Sequence, residues 1–136
     1  MQNKEIKIQH FGKDVHQELG SFTIATRLTS DNVVEYGVAF CSPKDVFTKK
    51  KGNALATERL VSVTDGNVTK MGGVAFVNVP VHADIVFAVL SAIVANNQLP
   101  EWARTLVCAY LNQALVQSME LYNETRSRRR KFILHS

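Results

Sequence analysis

The residue types best suited to chemistry crowd into positions 41–60, Cys-Ser-Pro-Lys-Asp-Val-Phe-Thr-Lys-Lys-Lys-Gly-Asn-Ala-Leu-Ala-Thr-Glu-Arg-Leu. Lys44, Lys49, Lys50, Lys51 and Arg59 set five cations here against Asp45 and Glu58. Cations gathered around a glycine suit a phosphorylated ligand. Charge-assisted bonds to phosphoryl oxygens are the strong ones, and Gly52 implies that a side chain is excluded there by a neighbour or by a ligand coming close to the backbone. Helical spacing puts Phe47, Lys51, Leu55 and Arg59 in an i, i+4, i+8, i+12 row. Lys51 and Arg59 then border an apolar stripe, with their stems on the protein and their charged heads at its rim. Lys49 and Lys50 point toward solvent. Three consecutive lysines also fit a plain solvated face, and Arg59 also fits a structural ion pair. Arg27, on a strand beside Thr26, is either an exposed edge charge or a phosphate contact. Phe40, Phe47 and Phe76 are available for base stacking, and each also suits a core position.

Catalytic and metal chemistry find little support. His10, His16, His82 and His135 are scattered, and neither Cys-x-x-Cys nor His-x-x-x-His occurs. Cys41 and Cys108 are lone cysteines that read as small buried hydrophobes. No Gly-x-x-x-x-Gly-Lys-Ser/Thr or Gly-x-Gly-x-x-Gly is present. The expectation is a binding protein with no metal or cofactor, not an enzyme.

The elements that must position these residues follow from periodicity. Residues 5–11, 22–28 and 33–41 alternate as strands, and Thr29-Ser30-Asp31-Asn32 is the turn between the last two. Gly37 implies a bulge or a close backbone approach. Ser42-Pro43-Lys44-Asp45 has the chemistry of a helix start, predicting a helix to about Leu60 with Gly52 in its middle. Asp65-Gly66-Asn67 predicts a second hairpin between 61–64 and 68–71. An apolar strand, Val74 to Val79, follows and stops at Pro80. Ile85 to Val94 covers nearly the whole circumference of one helix, Asn96 to Pro100 breaks it, and a long helix runs to about Thr125. The predicted class is α+β: an N-terminal, mostly antiparallel sheet with one inserted helix, followed by a C-terminal α-hairpin, with the helices against one sheet face.

At 136 residues and 46% hydrophobic content the chain suits one domain, residues 1–125, and excludes a disordered polymer. Five of the 16 basic residues lie in 126–131, within a basic tail over 126–136. The rest of the chain carries 11 basic residues against 12 acidic. A uniformly basic, nucleic-acid-coating surface is disfavoured by that balance. The longest apolar stretch, Ile85 to Ala95, falls short of the roughly 20 residues that span a bilayer. Met1 to Gly20 has no apolar signal core, so no membrane partner and a cytoplasmic location are expected. The apolar terminal helix pair and Phe132-Ile133-Leu134 after the arginines suggest self-association.

The run Val38 to Gly52, continuing through Ala56 to Arg59-Leu60, resembles a strand–cap–helix block of the first-described family of phage anti-Thoeris sponges. That resemblance implies a short protein with an N-terminal antiparallel sheet and two C-terminal helices, assembled as a dimer or hexamer. It further implies sequestration, without cleavage, of a cyclic ADP-ribose-type immune signal, with cyclic oligonucleotides as a further ligand class. Lys50, Lys51 and Arg59 carry over on this pattern as ligand contacts. Asn97 and Arg104, at the corner between the last two helices, are implied by position. The alternative is a phage single-stranded nucleic-acid-binding protein, read from the lysine run and the arginine tail.

Overall fold

A computed structural model describes residues 5–12, 19–30, 32–46 and 48–116. Strands β1 (Lys7–Phe11), β2 (Ser21–Ser30) and β3 (Val33–Cys41) follow one another, then helix α1 (Lys49–Thr64), strand β4 (Gly72–Phe76) and helix α2 (His82–Val94). A third helix, α3, occupies residues 101–116. The sheet is antiparallel throughout, in the order β1-β2-β3-β4. The protein is mixed α+β, as predicted. No described helix is long and apolar enough to cross a membrane.

Strand alternation sends two different sets of side chains to the two faces. The pairs Phe22↔Phe40, Ile24↔Val38 and Leu28↔Val34 gather large side chains on one face. There Phe22, Ile24, Val34, Tyr36 and Val38 pack with Ile85, Val89, Leu90 and Ile93 of α2 and with Leu106 and Val107 of α3. Rings close one end of this core: Phe11 stacks on Phe22 at 4.6 Å, and Tyr110 meets both edge-on at 5.3 and 5.7 Å.

The opposite face carries Ala25 and Ala39, which pack with Ala56 and Leu60 of α1. Gly37 lies between Ala25 of β2 and Gly72 of β4, pairing with both. A Cβ on Gly37 would come within 2.3 Å of the Ala56 oxygen and 2.4 Å of the Leu60 nitrogen. A Cβ on Gly72 would fall 2.8 Å from Val63 Cγ2. The backbone of α1 therefore rests directly on the backbone of the sheet. This is the close approach that Gly37 implied, and it corrects the expectation that the helices share one face. The sheet lies between α1 on one side and α2 with α3 on the other.

Two local expectations also differ. The helix does not begin at Ser42-Pro43. That segment forms a turn, with the Asp45 N–H donating to the Ser42 oxygen at 3.1 Å and the Ser42 hydroxyl to Asp45 Oδ2 at 3.1 Å. The cap is Thr48, whose hydroxyl accepts from the Lys51 N–H at 3.3 Å, so Gly52 falls in the first turn of α1. Residues 61–64 are helix and not strand, and Asp65-Gly66-Asn67 ends that helix. Gly66 N–H donates to the Val63 oxygen at 3.0 Å and Asn67 N–H to the Ser62 oxygen at 2.9 Å, with Gly66 at φ +91°. This is a Schellman closure, which uses the same left-handed glycine as a hairpin turn.

Candidate functional site

The pairing of Ser21 with Cys41 brings the start of β2 and the end of β3 together. The loop from Ser42 to Thr48 leaves this sheet end and delivers the first turn of α1 back onto it. Between them opens a cleft of about 290 Å³. Thr23 and Cys41 line it from the strands, Asp45 and Thr48 from the loop, and Lys51, Gly52 and Leu55 from α1. Its volume is near the lower bound of small-molecule sites, roughly 300 Å³.

Electrostatics distinguish this cleft from an ordinary surface dent. The amino end of a helix carries about half a positive charge, which acidic first-turn residues normally complement. Here Lys49, Lys50 and Lys51 occupy the first turn, and no acidic residue does. Lys51 and the helix dipole thus add positive charge at the cleft, with Lys49 and Lys50 exposed on the same turn and the acidic Asp45 lining the cleft from the loop. Gly52 is buried in this turn where it lines the cleft, and its N–H bonds back to the Thr48 oxygen at 3.1 Å. Cys41 Sγ lies 3.6 Å from the Ser42 oxygen and 3.7 Å from the Asp45 oxygen, both carbonyl acceptors. Behind the cleft, His10 Nδ1 lies 2.8 Å from Thr23 Oγ1. Burial and then Lys49 lower the His10 pKa from its ordinary value, with Asn53 acting in the opposite sense.

Of the residues selected from sequence, Lys51 lines this cleft and Lys50 is exposed on the same turn. Phe47 lies outside the described residues. Arg59 is two turns further along α1, where its Nη1 donates to the Val38 oxygen at 2.7 Å. It bridges helix and sheet, and burial pulls its pKa below the usual value. Arg27 donates to the Thr64 hydroxyl and stands 3.5 Å from Glu35 Oε1. The Thr64 hydroxyl also donates to Glu35 at 2.9 Å, so this group ties the far end of α1 to the sheet. Arg104 Nε donates to the Val94 oxygen at 3.0 Å, joining α3 to the last turn of α2. Asn97 is exposed in the connection between those helices. The structure therefore brings the lysines together at one end of α1 and places the three arginines elsewhere, each on a protein acceptor.

Thr23, Cys41 and Thr48 were not selected from sequence as site residues. Thr48 had a readable signal, a hydroxyl residue directly before a lysine run, but Ser42-Pro43 offered a stronger-looking start. No group of three or more His, Cys, Asp or Glu suited to a metal ion occurs among the described residues. Comparison with family models, with curated proteins and with solved structures yields no match for this chain.

Proposed function

We propose that this protein is a non-catalytic binder that retains a small phosphorylated molecule at the amino end of α1. The sequestration of a cyclic nucleotide signal implied by the anti-Thoeris resemblance is the specific form of that role. One observation carries the reading: a helix whose first turn holds three lysines and no acid opens onto a cleft lined by Lys51, Thr48 and the buried Gly52. Anions are the natural occupants of such helix ends. Lys51 supplies a charge-assisted donor, and the Thr48 hydroxyl supplies a neutral polar contact. The Cys41 thiol faces the Ser42 and Asp45 carbonyl oxygens, which do not take up its proton as a general base would.

Calorimetry with pyrophosphate, ADP-ribose, cyclic ADP-ribose isomers and cyclic dinucleotides tests the reading. At least one nucleotide should bind and be recovered unchanged after the protein is denatured. Lys51→Ala should weaken binding by about tenfold, the loss expected for one charge-assisted contact, while the thermal midpoint stays put. Recovery of a cleaved ligand would move the protein into the enzyme class. Binding to single-stranded oligonucleotides that collapses with salt, with no small ligand bound, would replace this reading by the nucleic-acid one.

A further inference from the structure

At the other side of the sheet, β4 is an edge strand made of Gly-Gly-Val-Ala-Phe. It contains neither a charge nor a proline, the usual protections of an edge. The Val38 N–H donates to the Met71 oxygen and the Val77 N–H to the Asn32 oxygen, each at 2.9 Å. With the pairs Tyr36↔Gly73 and Val34↔Ala75, the odd-numbered residues of this segment bond to β3. The peptide groups of Val74 and Phe76 consequently point to the open edge. Their side chains are 42% and 75% exposed. Beside them a groove of about 580 Å³ separates β4 from α2, and small residues, Ala88, Ser91 and Ala92, line its helix side.

We propose that β4 pairs antiparallel with β4 of a second copy of this chain, about a two-fold axis at Ala75. Val74 then lies opposite the partner's Phe76, and each such pair exchanges both of its N–H···O bonds. On the α1 face the exposed side chains become aromatic–β-branched cross-strand pairs, a favourable combination. Two arguments favour a like copy as the occupant. A two-fold axis brings identical groups together, so the surface around it must be nearly uncharged. Among the described residues, Asp84 is the one charged residue lining the groove. Area is the second argument: Val74, Phe76, Val79, Val81 and Phe87 are all exposed. Together they leave roughly 400 Å² of apolar side chain per copy, about the apolar share of a standard interface burying roughly 800 Å² per partner.

Sedimentation of the full chain decides the matter. The wild type should be a dimer with a Kd of about 10 μM or tighter. Val74→Lys and Phe76→Lys, both at exposed positions, should each weaken it at least about tenfold while the far-UV circular dichroism stays unchanged. A monomeric wild type overturns the proposal. So does a dimer that both substitutions leave intact. A monomer whose thermal midpoint falls in Val74→Lys would place another segment of the same chain on this edge, and that result also overturns it.

Discussion

Toward α2 and α3 the sheet presents Phe22, Ile24, Val34, Tyr36 and Val38; toward α1 it presents Ala25, Gly37 and Ala39. The first face gains its stability from apolar volume, as side chains interdigitate between layers. The second gains it from proximity, because small residues let the helix backbone touch the strand backbone. The two faces should therefore fail in opposite ways. One is damaged by removing atoms and the other by adding them.

The largest expected effect is on the crowded face. Gly37→Ala adds a single methyl, yet that carbon meets α1 backbone atoms and not the end of a flexible side chain. We expect a loss of more than about 3 kcal/mol in chemical denaturation, at the upper end for overpacking. An unchanged midpoint would mean that α1 yields freely, and the contrast between the faces would vanish. On the other face, Leu90→Ala opens a cavity beneath a fully buried position and should lower stability by about 2–3 kcal/mol. Next comes Arg59→Ala, which leaves the Val38 oxygen without its guanidinium donor. A loss of about 1–2 kcal/mol is expected, and nucleotide affinity should be preserved, since Arg59 lies away from the cleft. If affinity fell instead while the fold held, the arginine would be a ligand contact.

The smallest effect concerns pH. His10 belongs to the α1 face, paired with Thr23. Its folded pKa lies below its unfolded value of 6.5, so its contribution is intact above that value. It is lost as the pH falls and the unfolded chain takes up the proton first. The thermal midpoint of the wild type should thus drop more than that of His10→Gln between about pH 7.5 and about pH 5. Parallel curves would show that His10 titrates alike in both states.

Sequence patterning located the first three strands and the breaking of the C-terminal helices at Asn96 to Pro100, and it joined β2 to β3, although β2 runs on through Thr29 and Ser30, which were read as turn. These features rest on local periodicity. It also singled out Gly37, because a strand interior seldom tolerates a residue without a side chain unless something lies against it. The failures arose where one local chemistry serves two structures. Ser42-Pro43-x-Asp45 satisfies its own polar groups as a turn just as it would at a helix cap. Asp65-Gly66 provides a left-handed residue that a hairpin and a helix end both need. The cleft was legible only in Lys51. Its outline depends on where α1 starts relative to Cys41, a distance that the long connection between β3 and α1 sets and that no spacing rule gives. Arg59 was read as a ligand contact with an ion pair as the alternative, and its actual acceptor is a backbone oxygen, which has no signature in a sequence.

The insertion of α1 between β3 and β4 also bears on how the chain assembles. Nine residues separate β1 from β2 and two separate β2 from β3, so these strands can zip together with less loss of chain entropy than β4. Val33 reaches its partner Phe76 only across a much longer loop. That loop is shortened as α1 coils and settles on the glycine-lined strand, so the fourth strand should be the last to dock and the first to peel away. Amide exchange at Ala75 should accordingly outpace that at Ile24, and the span that opens earliest is the one carrying the bare edge.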